Sequence, residues 1–306
     1  MVLSNLQGVG KKTLLKIAGD NDFASIGFED LSKINPRIEK ALSHEGALDS
    51  AREKVDNELK ISKEHDIKIL CFADNQYPKL LNDTHDKPSM IYVKGEWNTD
   101  QDKSIAIIGT RTPTQHGIIT ATHITEYFAQ EGWSIVSGLA IGCDAIAHNI
   151  ALANGAHTIA VLPHGFSTIY PTQHKKLAYD ILDKGGLLLS EYKYNTKPSP
   201  YQFVERDRIQ AGLSQGVVMI QSELKGGSLH ASRSSLSYNR LLAVPHATDY
   251  DIENNSDSVS ANIIISSNND KEKATLLKCD ERQLTNIFII NDQSDYPDLV
   301  KKLSTK

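Results

Sequence analysis

Three short glycine-bearing segments carry the residue types that hold phosphate. The first is Gly109-Thr110-Arg111, where glycine admits close backbone approach, the hydroxyl can donate and the guanidinium offers bidentate anion binding. The second is Ser137-Gly138-Leu139-Ala140-Ile141-Gly142-Cys143-Asp144, leading into the small-residue stretch from Ala145 to Leu152, with Asp144 suited to cap a helix. The third, Lys225-Gly226-Gly227-Ser228-Leu229-His230, again sets small residues at a helix start. Two basic loops, Tyr170 to Lys176 with Lys175 and Lys176, and Phe203 to Arg208 with Arg206 and Arg208, would add cations along a phosphate chain. Taken singly, each segment is explained equally by a tight turn or a surface charge.

Other chemistries have less to stand on. Asp144 and His148 lie four apart near Ser137, which allows a Ser/His/Asp relay to be imagined, but no nucleophile elbow surrounds the serine. The first βα turn lacks the dinucleotide fingerprint, so no stored NAD or FAD is expected. The 11 histidines are scattered without ligand spacing, and Cys71, Cys143 and Cys279 are far apart, which implies neither zinc, nor any other cofactor, nor a disulfide framework. A reducing cytoplasm is the expected compartment. No apolar stretch approaches the ~20 residues of a membrane span, and the N-terminus lacks signal-peptide order. A net charge of −5 argues against coating duplex DNA by bulk electrostatics, so a nucleic-acid site would have to be a local patch.

The elements that would position these loops follow from hydrophobic periodicity. Residues 1–62 read as short helices, with an Ala51, Val55, Leu59 stripe among solvated charges. Gly8-Val9-Gly10 fits either a phosphate-binding helix-hairpin-helix turn or an ordinary tight turn. Ile67 to Phe72 reads as a strand. From Ser104 onward, strand-length apolar runs alternate with helical segments, the mark of a parallel sheet with crossover helices. The runs are Ile105–Ile108, Ser134–Val136, Thr158–Leu162, Leu187–Leu189, Val217–Ile220 and Leu241–Val244, and their near-continuous apolar character implies burial on both faces. Asp249 to Asp257 reads as too hydrophilic to pack. Residues 271–306 read as a short extension with one strand, Ile287–Ile290. In a doubly wound sheet, ligands lie beyond the carboxyl ends of the strands, where all the loops above fall.

Six separated blocks resemble the DprA/Smf DNA-processing family in order and spacing: Ser104–Arg111, Ser137–His148, Ser190-Glu191-Tyr192, Arg206–Ser214, Gly227-Ser228-Leu229 and Ala243-Val244-Pro245. Tyr77–Leu81 and Pro88–Gly95 resemble the lead-in to that family's core. The resemblance implies an α/β protein with an extended Rossmann-like, doubly wound, mostly parallel sheet over residues 63–270, behind a small helical domain of the helix-hairpin-helix or SAM-like kind. It further implies a non-enzymatic homodimer that binds single-stranded DNA and helps load the recombinase RecA. Carried over by position, Arg111, Lys175, Arg206 and Arg208 are the DNA-contact candidates, beside Gly109, Thr110, Ser137, Gly138, Gly142, Lys176, Gly226, Gly227 and Ser228.

The chain departs from the family pattern at Asp207, where asparagine is usual, at His174, and at His246, where glycine is typical. An acid between two arginines would offset part of their charge. No winged helix is evident in the short polar tail. The alternative is a nucleotide sensor or nucleotide-hydrolysing protein of the wider superfamily, as in phage defence; its hydrolytic branch needs a glutamate after the glycines, and Gly226 to Arg233 contains none. A scaffold that kept the fold without DNA binding is the third option.

Overall fold

The computed structural model describes residues 1–18, 26–97, 103–254 and 256–305. They fall into two units, one of residues 1–77 and 88–93, the other of residues 78–87 and 94 onward.

The first unit carries helices α1 (Lys11–Ala18), α2 (Phe28–Ile34), α3 (Pro36–Leu42) and α4 (Ala47–Glu64) and the antiparallel pair β1 (Lys68–Cys71) and β2 (Met90–Gly95). Pro36 sits in the first turn of α3, where a missing amide costs nothing, and the Asn35 side chain caps the helix by accepting from the Arg37 amide at 3.0 Å. Gly8 takes φ +86° in the turn entering α1, which by itself accounts for a glycine there. The expected α4 stripe is corrected at Leu59, which is 47% exposed. The buried face runs Ala51, Val55, Glu58, Ser62, following the 3.6-residue period rather than steps of four. Glu58 can be buried because the Tyr92 hydroxyl donates to its carboxylate.

In the second unit, α5 (Lys79–Asn82) precedes an alternation of strands and helices: β3 (Ser104–Ile108), α6 (Gln115–Gln130), β4 (Ser134–Ser137), α7 (Cys143–Ala153), β5 (Thr158–Leu162), α8 (Lys175–Asp183), β6 (Leu187–Ser190) and α9 (Pro200–Gly212). Then come β7 (Gly216–Met219), α10 (Ser228–Ser237), β8 (Leu241–Pro245), α11 (Asp249–Glu253), α12 (Ser260–Ser266), α13 (Asp270–Leu277), β9 (Ile287–Ile290) and α14 (Tyr296–Ser304). Strands β3 to β9 run parallel in the order β6-β5-β4-β3-β7-β8-β9. Every residue of β3, β4, β5, β6, β7 and β8 is buried, as their continuous apolar runs demand. The chain winds outward from β3 to β6, then returns to place β7 on the other flank of β3. The loops after β3 and β7 therefore part at a switch point, where a doubly wound sheet opens its crevice.

Two expectations change. The polar stretch from Asp249 does pack. Thr248 caps α11, and Asp251, 3% exposed, accepts from Thr114 Oγ1 at 3.1 Å and Gln221 Nε2 at 3.4 Å, so one acid finds donors while its neighbours stay in water. The segment beyond residue 270, read as a short extension with one strand, forms that strand and also packs a helix onto the core. β9 pairs with β8, and Tyr296, Leu299 and Leu303 of α14 join the cluster formed by Ile105, Ile107 and Ile135.

Candidate nucleic-acid interface

The crevice at the switch point is a cleft of about 480 Å³. One wall is Gly109, Thr110, Arg111 and Thr112 after β3; the other is Ser222, Glu223, Lys225, Gly226, Gly227 and Ser228 after β7. Phe203, Val204, Arg206, Asp207 and Gln210 of α9 also line it, with Ala140 and Asp144.

The first wall is held by its own backbone. The Thr110 amide donates to Gln221 O at 2.8 Å and the Cys143 amide to Thr110 O at 3.2 Å, so this loop is tied to both β7 and α7. A side chain at Gly109 would run into Cys143. Arg111 is exposed, its guanidinium carbon 5.8 Å from the centre of the Phe203 ring, and Phe203 packs edge-on to Tyr170 at 5.5 Å. A cation and two aromatic rings thus share one surface. On the opposite wall Ser228 Oγ donates to Ser222 Oγ at 2.8 Å, and Gly227 precedes the first turn of α10.

The second glycine loop has a different job from the expected one. Asp144 does not cap α7, whose N-cap is Gly142; its carboxylate turns back and accepts from the amides of Gly138 at 3.1 Å and Ala140 at 3.2 Å. Those amides are consumed inside the protein. Ser137 is buried and donates to Ile107 O at 2.6 Å. Gly142, at φ +83°, lies against Thr110 and Arg111, and any side chain there would strike their backbone.

Arg206 explains Gly138. Expected as a phosphate ligand on a loop, it lies inside α9, is 4% exposed, and donates to the carbonyls of Gly138 and, at 2.5 Å, Val161. Its Nε donates to Asp207 Oδ1 at 3.1 Å. It clasps the loop after β4 and the end of β5 to α9, and a side chain on Gly138 would occupy its place. Arg208 does not line the cleft. It is ion-paired with Glu191, with Glu205 at 3.7 Å and with Asp86 at 3.9 Å. Lys175 and Lys176 also lie outside the lining; Lys176 pairs with Asp180 at 2.6 Å.

The buried charges beneath the cleft are unbalanced: two carboxylates, Asp144 and Asp207, share one guanidinium. Burial pushes the Asp207 carboxyl up to about 7 against the pull of Arg206, with Asp144 adding to the rise and Arg111 opposing it. Burial likewise raises Asp144, countered by Arg206, the two amides and the Ser137 hydroxyl. His148 Nδ1 lies 2.7 Å from Thr158 Oγ1, which itself donates to Ile135 O, so Nδ1 carries the proton. Burial drives that imidazole down to about 3. Ser137 donates to Ile107 O and also lies beside the Asp144 carboxylate, while His148 bonds to Thr158, so the three form no relay. His174 Nδ1 lies 2.7 Å from Leu139 O and His246 Nδ1 2.7 Å from Ala247 O; neither lines the cleft, and of the three departures only Asp207 does.

Of the expected residues, then, Gly109, Thr110, Arg111, Gly226, Gly227 and Ser228 meet at the cleft, with Arg206 buried in its floor and Ser137, Gly138 and Gly142 supporting it from below. Sequence reasoning had Phe203 and Lys225 within the expected segments but singled out neither of them, nor Gln210, as a cleft residue. The signal for Phe203 and Gln210 was the spacing of Phe203, Asp207 and Gln210, at i, i+4 and i+7 on one helical face.

A parallel sheet with a polar crevice at its switch point, walled by glycine loops and an exposed arginine, defines a doubly wound α/β protein. Residues 68–275 match the model of DNA recombination-mediator protein A, the family that includes DprA and Smf, and the chain belongs to that family. It is 35% identical over 208 residues to DNA processing protein DprA of Bacillus subtilis (strain 168), covering 67% of this chain and 70% of that one. It is 38% identical over 175 residues to protein Smf of Escherichia coli (strain K12), covering 56% of this chain and 47% of that longer relative. The solved DprA of Streptococcus pneumoniae superposes with a TM-score of 0.69 over 97% of this chain and 94% of its own, at 23% identity, which supports the fold. DNA processing protein A of Helicobacter pylori, solved to describe its single-stranded DNA binding mode, gives a TM-score of 0.60 at 29% identity over 77% of this chain and 96% of its own.

Proposed function

We propose that the cleft binds single-stranded DNA, holding the backbone by Arg111, Lys225 and the glycine loops while a base rests on Phe203. The observation that carries this reading is the exposed Arg111 guanidinium beside the Phe203 ring at the mouth of an anion crevice. Phosphate contact plus aromatic stacking is how single strands are held without duplex geometry. Family membership and the single-strand binding described for the Helicobacter pylori protein support it. On the same grounds we infer a mediator role in DNA recombination or uptake, in which a homodimer helps load RecA on the strand and performs no catalytic step.

The test is fluorescence anisotropy of a labelled 20-mer and its duplex at two salt concentrations, with Arg111→Ala beside the parent. The parent should prefer the single strand. Arg111→Ala should weaken binding alike across sequences and flatten the salt slope by about one counterion. Absence of single-strand binding overturns the reading. Thermal stabilisation by a mononucleotide, without strand binding, would favour a nucleotide sensor instead.

A further inference from the structure

The floor of the cleft is built from acceptors. Asp207 has a side chain 13% exposed and lines the cleft; its Oδ1 accepts from Arg206 Nε and from Gln210 Nε2, both at 3.1 Å. Among the described residues, its Oδ2 has no hydrogen-bond partner. Gln210, 2% exposed and also in the lining, has a buried Oε1 without any partner. The two facts are linked. An ionised carboxylate only accepts, so the Gln210 amide must turn its NH2 toward Asp207 and present its oxygen elsewhere. Gln210 thereby holds the carboxylate in place, with Oδ2 turned to the cleft. A carboxylate oxygen left without a partner is costly, and a ligand that donates to it recovers that cost.

Position says what that ligand offers. Phe203 and Asp207 lie one turn apart on one face of α9 and both line the cleft, so a base stacked on Phe203 lies beside the carboxylate. Cytosine, adenine and guanine each carry an exocyclic amino group with two N–H donors. Thymine has a single N3–H flanked by two carbonyl oxygens, which a carboxylate repels.

We infer that Phe203, Asp207 and Gln210 form a nucleobase subsite that selects amino-bearing bases over thymine in the bound strand. This rests on the single-strand reading above. Arg111, Lys225 and the loop amides hold the backbone whatever the sequence, and the acceptor floor decides which base is held beside them.

The test compares matched 20-mers of cytosine and of thymine at pH 8.5, for the parent and for Asp207→Asn, whose amide oxygen stays with Arg206 and Gln210 while its NH2 takes the place of Oδ2. The parent should bind the cytosine strand about tenfold more tightly, the scale of one hydrogen bond to a charged acceptor. In Asp207→Asn the ratio should collapse to within about twofold. Equal binding of both strands by the parent overturns the subsite while leaving single-strand binding intact, as does a cytosine preference that survives in Asp207→Asn. Binding of neither strand overturns the single-strand reading and the subsite with it. The parent comparison decides the matter even if the variant folds poorly.

Discussion

Replacing Asp207 by asparagine should stabilise the protein at neutral and alkaline pH and do little at acid pH. Asp207 and Asp144 share the single guanidinium of Arg206, so one carboxylate too many is buried at the base of α9. Its carboxyl rises from 3.8 to about 7 on folding, a span of about three pH units, each equivalent to about 1.4 kcal/mol. Between pH 4 and pH 7 the folded protein keeps a proton that the unfolded chain has lost, so stability falls as pH rises through that window, by up to ~4 kcal/mol, and is level above it. The charges facing Asp207 are Arg206 on its own helix, Asp144 from α7 and Arg111 from the loop after β3, with Glu223, Lys225 and His230 across the cleft. In Asp207→Asn the amide oxygen would still accept from Arg206 and Gln210, leaving Arg206 matched to Asp144 alone. At about 2 °C per kcal/mol for a unit of this size, melting near pH 8 should rise by roughly 4–8 °C in Asp207→Asn, and the gain should shrink toward zero near pH 4.5. Differential scanning calorimetry at five or six pH values reads this directly. A difference between the melting temperatures of variant and parent that stays constant across pH would refute the account.

Three further expectations follow from the same geometry. Arg206→Ala should lower stability by about 3–5 kcal/mol in urea unfolding, because it strands two carbonyls and two carboxylates, whereas Arg111→Ala should leave stability nearly unchanged. Equal unfolding midpoints for these two variants would contradict the clasp. His148 is held neutral down to about pH 3, so its contribution is present above pH 6.5 and is lost as pH falls. His148→Gln should remove about 2–3 kcal/mol of the parent's destabilisation between pH 6.5 and pH 4.5, and an unchanged acid limb would count against it. Gly142→Ala should cost more than about 2 kcal/mol, since φ is +83° and the added carbon meets Thr110 and Arg111; wild-type melting would refute the tight contact.

The parallel sheet was legible because burial on both faces leaves each strand an unbroken apolar run, as in Ile105–Ile108 and Thr158–Leu162. The tail was harder: Ile287–Ile290 was visible as a strand, but the apolar residues of α14 stand among lysines and aspartates and their partners lie far away in sequence. Gly109-Thr110-Arg111 was legible as chemistry because its geometry is local. Arg206 was not. Sequence gives a charge but no direction, and whether an arginine faces solvent or clasps carbonyls depends on a strand and a loop 45 and 68 residues away. Asp144 was misread for the same reason, since an acid in the first turn of a helix can cap that helix or turn back on the loop before it. Asp251 shows how a polar segment packs when donors arrive from elsewhere, here Thr114 and Gln221.

The pairing of β9 with β8 also sets where the chain can be shortened. A fragment ended where the family match ends, at residue 275, would lose β9 and α14 together. The backbone groups of Leu242 to Pro245 would then form a bare sheet margin, and Ile105 and Ile107 would lose the cover of Leu299 and Leu303. Such margins recruit strands from other molecules, so the fragment should aggregate on expression, and the shortest well-behaved version should extend through Leu303.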